Sequence, residues 1–353
     1  MLVHYQYFTG NLQPASISLS MAIRLLYAFE AHKGPNSAGT SGDQSSYDKN
    51  KLKFHLRDLF WYLYSIDKDI SLRTGQPPTI NDDDCDLTLP ENFAREQDVN
   101  LQRTSISIDK RTLPLFPWDP RLSKIKSEAY SMLYSSKALR KSDSDILSSI
   151  RSLDDAIEQW RMSLHPDFRP TLCFSDGMRI SAQPNTQSTM LRLAYYHCIT
   201  VIHQACGRWT LSSPPPESQL DVISSCIAIA VNASLSTLSY LKVALPVIEG
   251  ECFWVVHFYV ITASVTVFHN LIWVPLNPEA ERHLDILRQV PQLLRQIPVR
   301  KLTLGEVTHL RFLDELIAEL ARLAGCAIST ARQCEGTEGN LTEQYKYFYA
   351  PPN

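Results

Sequence analysis

Apolar residues with helical spacing fill a long stretch between Lys51 and Pro90. They recur every three or four positions, as Leu52, Leu56, Leu59, Phe60, Leu63, Ile66 and Ile70. Three aromatic residues widen this stripe until it covers most of the helix surface: Trp61, Tyr62 and Tyr64. A helix that is apolar on most sides is typical of a protein core. The pattern therefore predicts a central helix.

A strong stop signal follows this helix. Arg73 falls in its last turn, where a positive charge is favourable. Gly75 is placed to take the left-handed conformation that closes many helices, and Pro77-Pro78 cannot continue a helix. The sequence therefore predicts that the central helix ends at Gly75.

Helical spacing also dominates the rest of the chain. Ala15–His32 is a predicted first helix, closed by Gly34-Pro35. Steps of three and four residues form three further seams: Ile146, Ile150, Leu153, Ile157, Trp160 and Leu164; Leu191, Tyr195, Cys198, Ile202, Ala205 and Trp209; and Leu310, Leu313, Ile317, Leu320, Ala324, Ala327 and Ala331. No stretch shows the sustained alternation typical of strands. The predicted class is all-α, an irregular multi-helix stack or superhelical bundle.

Proline, glycine and serine mark the breaks between these helices. Asn36–Ser46 has the composition of a flexible loop, and two prolines exclude a regular helix from Leu113–Trp118. Pro214–Pro216 precedes a helix predicted to begin near Glu217. Pro291 is expected to kink or interrupt the helix that contains it.

Composition narrows the class of protein. The chain has 353 residues, of which 44% are hydrophobic, so it can bury a large core. Lys and Arg number 34 against 37 Asp and Glu, which gives a net charge of −3 and no basic footprint for a phosphate backbone. The eight scattered cysteines, without a secretory signal, indicate reduced thiols rather than a disulfide framework or a zinc cluster.

One stretch raises the alternative of a membrane protein. Cys252–Asn277 contains no Asp, Glu, Lys or Arg and is long enough to span a bilayer, with a tryptophan near each end. Three polar residues lie inside it, however: His257, His269 and Asn270. A lipid-facing helix would have to hide them, so a buried central helix pair with the uncharged stretch Val222–Leu241 is the favoured interpretation.

The candidate metal sites are incomplete. His197, Cys198, His203 and Cys206 are clustered in sequence, but only His203 and Cys206 are close neighbours on one helix face. Zinc needs three or four ligands, so no metal site is predicted there. We expect the two cysteines to be core residues.

An acidic run imitates a calcium-binding loop. Asp82, Asp84 and Asp86 have the spacing of the first three ligands, but Leu87 replaces the required glycine and Phe93 replaces the bidentate glutamate. A solvated acidic turn is the favoured interpretation.

No catalytic residues can be named from the sequence. Asp154 and Glu158 could form an acid and base pair, but salt bridges between Arg151 and Asp155 and between Glu158 and Arg161 explain them as an exposed helix face. The chain has no glycine-rich phosphate loop, nucleophile elbow or zinc-protease helix. We therefore expect that it is not an enzyme.

The central stretch resembles the fungal-specific transcription factor domain, also called the middle homology region of binuclear zinc-cluster transcription factors. The residues that carry the resemblance are Arg57, Phe60, Trp61, Leu63, Tyr64, Asp67, Ser71, Leu72, Arg73, Gly75, Pro77, Ile80, Leu89 and Pro90. Ala15–His32 resembles the helix that precedes this signature, so the specific part of the resemblance covers residues 15–90. The six-cysteine zinc cluster and basic linker of that family do not occur in this chain.

The resemblance implies a nuclear, soluble regulator of RNA polymerase II transcription that responds to an effector. DNA contact and zinc would belong to the missing N-terminal cluster, so no cofactor is expected in this chain. The implied partners are a small-molecule effector and a zinc-cluster regulator bound as a homo- or heterodimer, without a membrane. The alternative is a zinc-free paralogue that acts as a corepressor or interaction partner through a seam such as Leu310–Ala331.

The predicted organisation is a single all-α regulatory domain over residues 1–333, with the signature at 15–90, a helical remainder at 119–333 and a tail at 334–353. The aromatic opening, MLVHYQYFTGN, gives the expectation that the chain begins partway through a helical domain, as in a truncated gene model or a paralogue that has lost its N-terminal module.

Two groups of candidate site residues follow. Arg57, Asp67 and Arg73 are charged residues on or beside a buried helix, so each must find a partner or an exposed position. Ion pairing to neighbouring helices is the favoured role, and contact with an effector is the alternative. Aromatic and histidine side chains are candidates for an effector cavity between helices: Trp61, Tyr64, Trp254, His257 and Tyr259. Plain core packing is the alternative for this second group.

Overall fold

The computed structural model describes residues 2–34, 44–89, 93, 101, 119–175, 177–178, 184–208, 217–248, 253–296 and 303–336. Within these ranges the chain is helical, without a strand, so the all-α prediction is confirmed. Several predicted features lie outside the described residues: the connector at Leu113–Trp118, Pro90, Trp209, Pro214–Pro216, most of the loop at Asn36–Ser46, and the predicted tail beyond Gly336. The first three residues of that tail, 334–336, belong to the last helix instead.

Ten α-helices make up the described fold. They are α1 (Leu2–Phe8), α2 (Leu12–Ala28), α3 (Gln44–Thr74), α4 (Pro120–Ala129), α5 (Asp143–Ser163), α6 (Thr186–Gln204), α7 (Glu217–Ala244), α8 (Phe253–Trp273), α9 (Ala280–Arg295) and α10 (Leu304–Gly336). A π-helical segment, Tyr130–Tyr134, continues directly from α4.

The central helix ends where the sequence predicts. Gly75 has a φ of +70° and donates its N–H to the carbonyl of Ser71 at 2.9 Å, the hydrogen bond of a left-handed helix cap. Phe60 and Trp61 are each only 1% exposed. The prediction of a buried apolar stripe is wrong for its first residue, because Leu52 is 56% exposed. The helix is therefore central along its C-terminal half.

The predicted first helix is the second one and ends earlier. Helix α2 runs from Leu12 to Ala28, after the short helix α1, and does not reach His32. Glu30 has a φ of +57°, Glu30 donates to Tyr27, and Ala31 donates to Leu26. These two bonds form a Schellman motif, which usually uses glycine at the left-handed position. Because the left-handed residue is Glu30 rather than a glycine, the end of α2 could not be recognised from the sequence.

The most apolar helices form the C-terminal core. Helix α7 packs against α6, α8 and α9, and α8 also packs against α10. Windows within α7 and α8 are long and apolar enough to cross a membrane by length and composition, and 56% and 61% of their residues are buried inside the protein. Burial of this kind is what a helix pair in a protein core shows.

The predicted seams mostly face the core. The described members of the α5 and α6 seams are all buried. On α10, Leu313, Ile317, Ala324 and Ala331 are buried against α8 and α9, whereas Leu310, Leu320 and Ala327 are only partly buried. The α10 seam is therefore covered by the chain itself rather than open to a partner. Helix α9 continues through Pro291 without interruption.

The cap at Gly75 generates a stability prediction. Gly75→Ala should lower the free energy of unfolding by about 1 kcal/mol, because a left-handed backbone costs a residue with a Cβ about 1–2 kcal/mol, partly offset by lower unfolded-chain entropy. Steric conflict is excluded, since a Cβ there would meet nothing within 4 Å. Urea unfolding measures the change.

Gly325, inside α10, is the matched control. A Cβ at this position would make ordinary contacts of 3.6 Å with Leu284 and Arg288. Gly325→Ala should be neutral or stabilise by up to about 1 kcal/mol through helix propensity. Equal losses for the two variants would contradict the conformational explanation of the cap.

Candidate functional site

Arg57 joins α3 to two segments that are distant in sequence. Its Nη1 donates to the carbonyls of Ala31 and His32, both at 3.3 Å, just after α2. Its Nη2 donates to the carbonyls of Asp86 and, at 3.1 Å, Thr88. A guanidinium carries five donors in a fixed fork, so a single side chain can bind several carbonyls at once. Arg57 thus fastens both segments to the middle of α3.

Asp67 and Lys68 hold the chain that returns after the proline pair. The carboxylate of Asp67 accepts the backbone N–H groups of Thr79 at 2.8 Å and Ile80 at 3.0 Å. Lys68, which is buried, donates to the carbonyl of Ile80 and forms an ion pair with Asp82 at 2.9 Å. These contacts press the segment after Gly75 back along α3.

The other face of α3 carries a buried ion cluster, formed by Asp69, Arg73 and Lys126. Arg73 Nε lies 2.6 Å from Asp69 Oδ2, and Lys126 on α4 donates to Asp69 Oδ1. All three side chains are at most 3% exposed. The hydroxyl of Tyr7, on α1, also donates to Asp69. One carboxylate therefore binds partners from α1, α3 and α4.

Arg73 extends this cluster to α8. Its guanidinium carbon lies 4.4 Å from the ring centre of Phe258, 4.9 Å from that of Tyr259 and 5.2 Å from that of Tyr7. A cation within about 6 Å of an aromatic face is attracted to it, and more strongly when water is excluded. The last turn of α3 is thereby joined to α1, α4 and α8 at a single point.

The ion cluster is electrostatically unbalanced. It contains two cations, Arg73 and Lys126, against the single carboxylate of Asp69, which leaves one net positive charge. Burial alone would raise the pKa of Asp69, but Arg73 and Lys126 outweigh burial and hold that pKa well below its usual range. Asp67 lies about 200° around the helix from Asp69 and belongs to the opposite face.

The excess positive charge affects the pKa of His197, on α6. Its side chain is buried, and burial, reinforced by Arg73 and Lys126, lowers the pKa of His197 to about 3. The imidazole is therefore neutral in the folded protein.

A cleft of about 270 Å³ opens beside the ion cluster. Its walls come from the end of α3, the π-helical segment, α6 and α8, and it is lined among others by Arg73, Tyr134, His197, Val201 and Phe258. The hydroxyl of Tyr134 donates to the carbonyl of Val201, which ties the π-helical segment to α6. Segments of π-helix are frequent at functional sites.

The five residues predicted to line an effector cavity lie in three neighbourhoods. Trp61 and Tyr64 pack against each other, with ring centres 5.4 Å apart, and the hydroxyl of Tyr64 donates to Asp82. Trp254 and His257 both contact the ring of His309, at 4.5 and 5.8 Å. Tyr259 lies beside Arg73 and His197, close to the cleft. None of these five residues is among those that line the cleft.

The acidic residues after α3 make more contacts within the fold than a solvated turn would make. Asp82–Asp84 form a single 3-10 turn, in which Asp82 is bound by Lys68 and Tyr64. The carboxylate of Asp86 accepts the N–H of Thr88. Only part of this run is therefore a solvated turn.

Among the described residues, no group of three or more His, Cys, Asp or Glu side chains is arranged to hold a metal ion. His203 instead lies 3.0 Å from Asp154 on α5. Burial alone would lower the pKa of His203, but hydrogen bonds to Asp154 and Cys226 outweigh burial and raise it. Asp154 therefore contacts the core through His203, in addition to lying on the exposed helix face that the sequence predicts. Glu158 and Arg161 do form the expected surface pair, at 2.7 Å.

The sequence analysis also missed Lys68, Asp69 and Lys126. Asp69 could have been found, because a carboxylate one turn before Arg73 on a largely apolar helix is the natural partner of that arginine. Lys126 gave no such signal, since it follows Asp69 by 57 residues.

Comparison with known proteins shows what the chain is similar to. Residues 1–162 match the family model for the fungal-specific transcription factor domain. The resemblance described above is confirmed, and it extends on both sides of residues 15–90. The matched region contains the signature residues, two members of the ion cluster on α3 and the third, Lys126, on α4.

Similar proteins are named as transcription factors. The chain is 29% identical over 300 residues to an ABC-transporter-regulating transcription factor of Aspergillus fumigatus, and equally to the protein of that name in Aspergillus oryzae. Both alignments cover 81% of this chain and 31% of the relative. The Fusaridione A cluster transcription factor fsdR of Fusarium heterosporum is 24% identical over 335 residues, which covers 92% of this chain and 57% of that protein.

The chain thus spans about a third of the length of the Aspergillus relatives it matches. No solved structure matches it. The matched family and these relatives are described as transcription factors.

Because the ion cluster has one excess positive charge, Asp69→Asn and Lys126→Met should lower the free energy of unfolding by different amounts. Asp69→Asn leaves two buried cations without a carboxylate and should cost about 3–5 kcal/mol of unfolding free energy. Lys126→Met keeps a neutral Asp69–Arg73 pair and a side chain of similar length, so it should cost about 1 kcal/mol or less. Urea unfolding at pH 7 measures both values. A loss for Lys126→Met as large as that for Asp69→Asn would refute the assignment of excess positive charge.

The neutral imidazole of buried His197 leads us to expect that the free energy of unfolding falls at acid pH. The folded chain keeps the imidazole neutral down to about pH 3. The unfolded chain binds a proton below about pH 6.5, so stability falls as the pH drops from about 6.5 towards 3. Between pH 7 and pH 5, His197 should account for a loss of about 2 kcal/mol.

Comparing unfolding free energies at the two pH values for His197→Gln tests this. That variant should lose part of the pH dependence, whereas His269→Gln, at an exposed position on α8, serves as the control and should keep it. An unchanged pH dependence in His197→Gln would rule out the proposed contribution.

Proposed function

We propose that this chain is the effector-responsive regulatory region of a fungal zinc-cluster-type transcription factor that controls RNA polymerase II transcription. The observation that carries the proposal is the coincidence of two features. The family match covers residues 1–162, and the signature charges within it, Arg57, Asp67 and Arg73, are the side chains that fasten α3 to its surroundings.

The physical mechanism is a shift between two helix arrangements. A joint made of buried ion pairs and hydrogen bonds is stable only in a few geometries, because each displaced charge must find another partner. An effector or partner that prefers one arrangement shifts the population by its difference in affinity. The junction of α1, α3, α4 and α8 at Arg73 is the joint that such a shift would change.

This proposal assigns DNA contact and zinc to a module outside the present chain, in keeping with its net charge of −3. It makes the chain a nuclear regulator rather than an enzyme, without a cofactor of its own. Homo- or heterodimers with zinc-cluster regulators are part of the proposal.

The relatives do not point to common target genes. Two are named for regulating ABC transporters and one for the Fusaridione A cluster. Transcription control is what these names share, and the proposal is limited to it.

A tethering experiment tests the proposed function. The chain is fused to an unrelated DNA-binding domain in yeast, with a reporter gene that carries the matching sites. We expect reporter expression to change by about fivefold or more relative to the DNA-binding domain alone, in the range typical of allosteric coupling. Lys126→Met, which alters the ion cluster, should shift the response, whereas Arg322→Met on the exposed face of α10 should not. A reporter unaffected by the tethered chain would refute the proposal.

A further inference from the structure

The cleft beside the ion cluster combines features of a small-ligand site. Its volume of about 270 Å³ is just below the usual range of about 300–1,000 Å³ for ligand pockets, which favours a small molecule. Polar groups come from Arg73, His197 and Gln204 and from four hydroxyl side chains, and apolar surface comes from Val201 and Phe258. The four hydroxyl residues are Ser71, Tyr130, Tyr134 and Thr262. Apolar surface with polar groups that orient a ligand is typical of ligand pockets.

Three buried nitrogen atoms of cleft-lining side chains make no hydrogen bond in the described structure: Nε and Nη2 of Arg73 and Nδ1 of His197. Nε of Arg73 is still in an ion pair with Asp69 at 2.6 Å, so Nη2 of Arg73 and Nδ1 of His197 are the two atoms that a ligand could satisfy. The side chain of Arg73 is 3% exposed and His197 is 5% exposed. A buried polar atom without a partner costs about 1–3 kcal/mol, and more when it is charged. Acceptor oxygens from a ligand could relieve this cost at Arg73 directly, because a guanidinium only donates.

The excess positive charge of the ion cluster indicates that the ligand is negatively charged. Among the described residues, Asp69 is the single carboxylate that binds the two cations, and its two oxygens are already occupied by Arg73, Lys126 and Tyr7. The neighbouring groups Tyr7, Tyr259 and His197 are neutral in the folded state, since burial raises the pKa of both tyrosines and lowers the pKa of His197. One additional negative charge would therefore balance the cluster.

We propose that the cleft between α3, the π-helical segment, α6 and α8 binds a small organic monocarboxylate, whose carboxylate pairs with Arg73. This inference rests on the proposed regulatory function and specifies the chemical class of its effector. A planar carboxylate matches the guanidinium fork in a way that a spherical ion does not. The remainder of the ligand packs against Phe258 and Val201.

A ligand bound in the cleft would contact the segments that Arg73 joins. The ligand would contact the last turn of α3 and α8, which Arg73 already connects. It would also contact the π-helical segment, which continues from the helix that carries Lys126. A carboxylate on Arg73 competes with Asp69 for the same cation, so binding changes the ion cluster itself.

The test uses pairs of probes that differ in charge and hardly in shape. Acetate, pyruvate and benzoate are titrated into the purified chain by calorimetry, each beside its neutral amide, with inorganic phosphate as a further anion. We expect saturable binding of at least one carboxylate, with an affinity about tenfold or more above that of its amide. Binding of phosphate as tight as that of the best carboxylate would indicate an adventitious ion only and would overturn the proposal.

Three variants locate the site. Val201→Trp fills the cleft at a half-buried position and should abolish binding, with the fold verified by circular dichroism. Lys126→Met removes the excess charge without being among the cleft-lining residues and should weaken binding about tenfold or more. Arg322→Met removes an exposed charge on α10 and should leave the affinity unchanged.

A second cavity, of about 700 Å³, lies among α7, α8 and α9 and is lined by Leu235. Loss of binding in Leu235→Trp with normal binding in Val201→Trp would place the ligand there and overturn the proposal. So would the absence of saturable binding by every carboxylate probe. These outcomes leave the tethering experiment untouched, so a chain that regulates the reporter but binds no carboxylate would refute this inference and not the proposed function.

Discussion

The described structure depends on one buried carboxylate. Asp69 accepts from Tyr7 on α1, pairs with Arg73 on its own helix and binds Lys126 on α4, and Arg73 extends the contact to α8. Removing three charges from water is costly, and only close, specific geometry returns that energy. An ion cluster of this kind fixes the position of each helix that it joins, because each buried charge needs its partner at close range. The cluster therefore sets how the N-terminal helices meet the C-terminal core.

Polar joints of this kind recur along α3. Arg57 holds the end of α2 and the segment after Asp82, and Asp67 holds the returning chain at Thr79 and Ile80. The helices of the C-terminal core differ, because α6, α7 and α8 pack mainly through apolar side chains. Energy in apolar packing is spread over many weak contacts, whereas energy in polar joints is concentrated in a few directional ones. Rearrangement of this fold is therefore expected at α3 rather than inside the α6–α8 core.

Local signals were predictable and distant contacts were not. The helical class, the cap at Gly75 and the α5 seam each depend on residues within a few turns of one another, and the sequence analysis found them. It misplaced the end of α2, because the left-handed position there is Glu30 rather than glycine. It expected partners for Arg57, Asp67 and Arg73 from their position on a buried helix, but could not identify Lys126, which only the tertiary fold brings to Asp69. The cleft was missed for the same reason, since its walls come from four separate segments.

The connection between the cleft and the ion cluster follows from chain continuity. Lys126 lies one turn before Tyr130, and α4 runs without a break into the π-helical segment that forms one wall of the cleft. A helical rod transmits displacement along its axis, because each turn is hydrogen-bonded to the next. Movement of the wall at Tyr134 would therefore reach Lys126, where a shift of an ångström would change the energy of a buried ion pair. A ligand at the cleft would thus act on the cluster twice, through Arg73 by charge and through Lys126 by position.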